Sequence, residues 1–220
     1  MNRYKLLKLV FPFTMMAIPF AYLAYIWGDL PQKIPTHFNI YGLPDKFGNK
    51  PEILVLTIIL AVVGTGVYFL LQNMQRIDPK KKYEAGTLSV MQKLSAVVVL
   101  LLTFISLLIL YSTLKGKITG MPLMFFVLSL FLAIMGNLMH SIKPNYFAGI
   151  RVPWTLENED NWRQTHQLAS KIWFAGGIIL AVLSLLLNQK ILTIVFLSVV
   201  IIMVIIPVVY SYLLYRKSTK

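Results

Sequence analysis

Six long apolar runs, none with an aspartate or glutamate in its interior, constrain this chain more than any other feature. They fall at roughly Leu6–Trp27, Ile53–Leu71, Leu94–Leu114, Pro122–Ile142, Ile172–Leu187 and Ile191–Tyr212. An α-helix rises about 1.5 Å per residue, so about 20 residues cross the roughly 30 Å of hydrocarbon in a bilayer. Only helices and closed barrels satisfy every backbone group there. The expected fold is therefore all-α, a polytopic membrane helical bundle with six transmembrane helices. Ile172–Leu187 has just 16 residues. It is expected to extend backward, with Lys171 snorkelling its ammonium to the interface. Pro12, Pro19 and Pro207 lie inside runs and predict kinks. Leu6–Trp27 exceeds the apolar core of a signal peptide and reads as a retained first span.

Composition agrees: 57% of the 220 residues are hydrophobic and 13% charged, and the mean hydropathy is +0.70. There are no cysteines, which excludes disulfides, thiol nucleophiles and thiolate metal sites. The net charge of +13 could suggest a nucleic-acid partner, but the positive residues follow the loops. The partner they imply is the lipid bilayer, with no direct nucleic-acid contact. Fifteen of the 21 Lys and Arg residues fall on one set of alternate segments (the N-terminus, 72–93, 142–171 and the C-terminus) and six on the other. By the positive-inside rule both termini are expected in the cytoplasm and the 28–52 loop outside. Two regions are expected: a two-span region over 1–90 carrying the 28–52 loop, and a four-span region over 91–220.

Two loops carry chemistry. In 28–52, Pro31, Pro35, Pro44 and Pro51 with Gly42 and Gly48 exclude regular helix and specify turns. His37, Asn39, Gly42, Pro44 and Asp45 form its candidate contact set for a ligand, against the plainer alternative of an ordered cap. His37 and Asp45 could supply two ligands to a divalent ion, but no third is evident, so neither metal nor cofactor is expected.

The second loop, 142–173, holds three of the four tryptophans. Lys143, Pro144, Asn145 and Tyr146 leave the fourth span as a turn, and Gly149 to Trp154 is expected to be extended, because the residue before Pro153 avoids helical geometry. A helix should follow, capped by Thr155 or Asn158, with Glu157, Glu159 and Asp160 at its positive end. Glu159 and Arg163 are spaced for a helical ion pair. Trp162, His166, Ala169 and Trp173 share one face, which suits an interfacial helix running into the fifth span. Two readings stand here. One is an anchor setting tilt and depth; the other is a cytoplasmic-side pocket lined by Asn145, Tyr146, Arg151, Trp154, Arg163 and His166.

The same segment, with Ile142-Lys143-Pro144-Asn145-Tyr146, Gly149-Ile150-Arg151, Pro153-Trp154-Thr155-Leu156, Trp162 and Thr165-His166, resembles the signature of the SdpI family. Gly136-Asn137 is similar to the family's lead-in. Residues 34–50 resemble a small domain of unknown function that often forms the N-terminal half of such proteins. Val152, Asn161, Ser170 and His140 depart from the family's usual Thr, aliphatic residue, Gly and Pro. The resemblance implies a multi-pass protein of the bacterial cytoplasmic membrane that protects against a membrane-active peptide toxin. It also implies a receptor role, in which the engaged protein holds a cytoplasmic transcriptional repressor at the membrane.

Two other classes compete. A secondary transporter is suggested by informative loops after the first and fourth spans, equivalent places in two three-span halves. Against it, ion-coupled carriers usually need an acidic group at membrane depth, and the spans lack one. His140, near the end of the fourth span, is the nearest candidate. An enzyme is not expected, because no hydrolase or metalloprotease motif is present.

Overall fold

The computed structural model describes residues 3–38, 44–77, 85–117 and 120–218. Asn39, Gly42 and the lysine run at 80–82 lie outside them. Helix α1 covers Arg3–Ile26 and ends in a single 3-10 turn at Trp27–Asp29. Strands β1 (Lys33–Phe38) and β2 (Pro44–Asn49) pair antiparallel. Then come α2 (Pro51–Gln72), the short α3 (Met74–Ile77), α4 (Ala85–Lys115) and α5 (Met121–Met139). The short α6 (Pro153–Glu157), α7 (Glu159–Leu186) and α8 (Gln189–Ser218) complete the order. Six helices (α1, α2, α4, α5, α7 and α8) are long and apolar enough to cross a membrane, so the chain is a multi-pass membrane protein.

The fifth span, expected to extend backward from Ile172 and to continue from the helix capped near Asn158, begins at Glu159. The stripe through Trp162, His166, Ala169 and Trp173 keeps helical register without a break, so the amphipathic segment and the span are one helix. The 28–52 loop, expected to be turns only, contains the hairpin. Ile34, Thr36 and Phe38 favour extended backbone. Its register is irregular between Pro35 and His37, where proline cannot donate to a ladder. Ile34, 1% exposed, packs with Leu23, Ile26, Leu30, Ile53 and Leu110, which seats the hairpin on helix ends. Burying such a side chain from water is worth about 1.5–3 kcal/mol.

The chain forms two compact units. One comprises Met1–Leu70 and Ser95–Met124. A second core cluster there joins Met16, Tyr68 and Val99. Pro12 lacks the N–H that would bond the Lys8 carbonyl one turn earlier, and the Tyr68 hydroxyl donates to that carbonyl instead, at 2.9 Å. Helix α1 contains both Pro12 and Pro19.

The other unit comprises Leu71–Leu94 and Phe125–Lys220. Within it α5 and α7 approach backbone to backbone. A Cβ added at Gly177 would lie 2.5 Å from the Ala133 nitrogen and 2.7 Å from the Ser129 carbonyl oxygen, and one added at Gly136 would strike the Phe174 nitrogen. Small residues at such contacts let helices pack closely in lipid, where burial from water supplies no drive.

Candidate functional site

The 142–173 segment folds into a clasp in which a loop closes over one face of α7. Asn145, fully buried, builds the loop. Its Oδ1 accepts from the Phe147 and Ala148 nitrogens, both at 2.8 Å, and its Nδ2 donates to the carbonyls of Lys143 at 2.8 Å and Ala148 at 3.1 Å. Those four bonds use the amide's capacity. Gly149 then turns the chain at φ +112°, a region that disfavours side chains. A Cβ there would also collide with His166 Nε2.

His166 joins loop to helix. Its Nε2 accepts from the Ile150 nitrogen at 3.0 Å, and its Nδ1 lies 2.8 Å from the Trp162 carbonyl. The tautomer consistent with both carries its proton on Nδ1. The ring stacks on Trp162 with centroids 4.0 Å apart and planes 17° apart. Trp162, 1% exposed, donates its indole N–H to the Ile142 carbonyl at 2.7 Å. The face that sequence reading assigned to the headgroup zone is therefore covered by protein.

The start of α7 is fastened to the loop and to α8. Asn158 is the N-cap, its Oδ1 accepting from the Asn161 nitrogen at 2.9 Å. Thr155 acts one turn earlier: its hydroxyl lies 2.8 Å from the Ile150 carbonyl and 2.9 Å from the Val152 carbonyl, and accepts from the Val152 nitrogen at 3.2 Å. Pro153 opens α6, so the expected extended stretch stops at Val152. Trp154 lies edge-on to Tyr212, stacks on Tyr215 and donates to the Ser211 hydroxyl at 2.9 Å. Asn161, the departure from the usual aliphatic residue, donates to the Ser211 carbonyl at 2.9 Å. Ser211 was not singled out from the sequence, although a serine one turn after Pro207 in an apolar helix was a readable signal.

The segment's other side is charged and open. Lys143, Tyr146, Arg151, Glu157, Glu159, Asp160, Arg163 and Gln167 are exposed. Arg151 donates from Nη1 to the Tyr146 carbonyl, which braces the guanidinium against the loop. Arg163 pairs with Asp160 at 2.7 Å, not with Glu159 as its spacing suggested. Of the residues proposed to line a pocket, Asn145 and His166 are thus turned inward onto backbone, while Tyr146, Arg151 and Arg163 face outward. Pro144 and Trp154 are half-buried.

In the hairpin, His37 Nδ1 and Asp45 Oδ1 lie 2.5 Å apart on the exposed surface. Pro44 opens β2 opposite Phe38. Lys50 is buried to 9% exposure and stands 4.9 Å over the Trp27 ring. Its ammonium therefore supports the hairpin base rather than a ligand.

Comparisons with known proteins fall on these two regions. Residues 141–211 match the model of the SdpI/YfhL protein family, and residues 14–61 match a domain of unknown function, DUF1648. The resemblance read from the sequence is borne out on both segments. The immunity protein SdpI of Bacillus subtilis (strain 168) is 28% identical over 213 residues, covering 96% of this chain and 97% of that one. An uncharacterized protein of Archaeoglobus fulgidus is 34% identical over 47 residues, covering 21% of this chain and 26% of that one. No solved structure matches the chain.

Proposed function

We propose that this multi-pass membrane protein, whose 141–211 segment carries the SdpI/YfhL family pattern, protects a bacterium against a membrane-active peptide toxin. One observation carries the reading: the likeness to an immunity protein runs along 96% of the chain and so includes both the hairpin region and the clasp. The protein is read as non-catalytic. Its buried polar groups in the clasp are spent on backbone and on α8, which suits a rigid element better than a reaction site.

The reading extends to placement. The likeness to a bacterial immunity protein supports a bacterial cytoplasmic membrane, and the positive-charge asymmetry supports both termini inside, the hairpin outside and the clasp inside. An arriving toxin would then meet the hairpin region first. The charged outer side of the clasp, with Arg151 and Arg163, is offered to a cytoplasmic partner, for which a transcriptional repressor is the candidate.

Expression in a toxin-sensitive strain, challenged with a panel of membrane-active peptides, tests the proposal. Survival that depends on the intact chain is expected. Sensitivity to every peptide at normal membrane abundance would overturn it and restore the transporter reading.

A further inference from the structure

Within the first compact unit, β1, the start of α2, the end of α4 and the start of α5 enclose a cleft of about 340 Å³. That volume lies at the lower end of the roughly 300–1,000 Å³ typical of ligand sites. Its walls are apolar, with Ile34, Ile53, Ile109 and Met124 among them. Helix alternation puts the hairpin and the α4–α5 connection on the same membrane side, and the cleft is lined by the hairpin and by the helix ends that flank that connection.

The polar groups are few and specific. Ser112 and Thr113 contribute from the last turns of α4, and Glu52 stands at the start of α2. Among the described residues, Glu52 is the only formally charged one lining the cleft, in a chain whose net charge is +13. None of the lysines of the hairpin lines it. One Glu52 oxygen accepts from the Asn49 backbone nitrogen at 2.7 Å, which holds the side chain in place while the residue stays exposed. An apolar cleft with a single fixed carboxylate selects an apolar ligand with a single cation. It repels fatty anions, and it gives a neutral chain no use for the charge.

We propose that this cleft is the receptor site for an apolar peptide segment carrying one lysine or free amine, with the ammonium on Glu52. The proposal rests on the protective reading, for which it names the place of first contact, but its binding test does not depend on protection.

The natural chain is cysteine-free, so Thr36→Cys, at the exposed rim of the cleft, gives a single reporter thiol. Its rate of maleimide modification is followed in the full-length protein in detergent as the acetylated pentapeptide amide Leu-Leu-Lys-Leu-Leu is added. The lysine peptide is expected to slow labelling, and its glutamate counterpart is not. Glu52→Gln, which keeps the bond to Asn49, should raise the half-protecting concentration about tenfold, with the labelling of each variant scaled to its own rate without peptide, because the Glu52 carboxylate lies close to position 36 and its charge alters thiol reactivity. Ile109→Trp, which fills the cleft but keeps the carboxylate, should abolish protection of the thiol. Equal protection by the two peptides, or an unaltered response in Glu52→Gln, overturns the proposal. In toxin-challenged cells, full survival with Glu52→Gln removes the cleft as the toxin's site. A wild-type chain that fails to protect cells yet binds the lysine peptide overturns the protective reading and leaves the cleft standing.

Discussion

Trp173 on α7 donates its indole N–H to the Met203 carbonyl on α8 at 2.9 Å. That carbonyl lies one turn before Pro207, which has no N–H to offer it. The proline creates an acceptor and the tryptophan of the neighbouring helix fills it. Pro12, the Lys8 carbonyl and Tyr68 repeat the arrangement between α1 and α2. In both places a proline inside a span becomes a helix-to-helix contact. An unsatisfied carbonyl in hydrocarbon would otherwise cost several kcal/mol.

A double-mutant cycle tests this pairing. Trp173→Phe keeps most of the packing and removes the donor, and should cost about 0.5–1.5 kcal/mol. Pro207→Ala supplies a backbone N–H to Met203, so the same Trp173→Phe change should cost less in that background. Reversible unfolding in detergent micelles reads both. Equal costs in the two backgrounds would mean that the indole bond is incidental to the proline.

Gly149→Ala is expected to open the clasp. The residue must hold φ +112° and approach His166 Nε2 more closely than a methyl allows. The cost should be at least about 2 kcal/mol, from backbone strain plus displacement of the imidazole. In ¹⁵N-histidine spectra of the wild type, the His166 proton should sit on Nδ1, with Nε2 unprotonated and accepting from Ile150. Gly149→Ala should change that signature together with faster proteolysis after Arg151. A proton on Nε2 in the wild type would refute the bonding described.

The sequence made the six spans legible, because run length and the absence of interior acids follow directly from the demands of hydrocarbon. It also marked the signature segment and offered Asn158, beside Thr155, as the N-cap that the structure selects. Other features were hidden for physical reasons. The hairpin was masked by its prolines and glycines, whose turn signal is strong, whereas the anchoring role of Ile34 depends on distant Leu23 and Leu110. The Trp162 face looked interfacial because helical periodicity says that a face is apolar without saying whether lipid or protein covers it. Arg163 chose Asp160 over Glu159, a choice set by rotamers on an exposed surface where such pairs are worth little. The cleft around Glu52 needed four elements brought together, and no local pattern announces that.

Arg151 and Trp154 are close in sequence and should separate in effect. Trp154 is built into α8 through Ser211, Tyr212 and Tyr215, so Trp154→Ala should lower membrane abundance and thermal stability. Loss of a half-buried aromatic of this kind costs about 2–4 kcal/mol. Arg151 is exposed and, among the described residues, bonded only to the Tyr146 carbonyl, so Arg151→Ala should leave abundance within about twofold, a change of about 0.5 kcal/mol. If the outer side of the clasp engages a cytoplasmic partner, protection or signalling falls in Arg151→Ala despite normal abundance. Wild-type behaviour of that variant would leave the segment a structural clasp alone.

Sidedness decides how the two conspicuous regions divide the work, and the cysteine-free chain makes it directly measurable. Single-cysteine variants Asn39→Cys, in the 28–52 segment, and Asn158→Cys, at the α7 cap, are to be labelled in intact cells with a membrane-impermeant maleimide. The fifteen-to-six distribution of Lys and Arg predicts labelling at 39, and at 158 only after permeabilisation. With that outcome the hairpin and its cleft meet whatever arrives from outside, and the clasp can act only as an inner brace or readout. Labelling of 158 from outside would invert the arrangement. The Arg151 face would then meet the toxin, and the carboxylate of Glu52 would face the cytoplasm, where no external peptide reaches it.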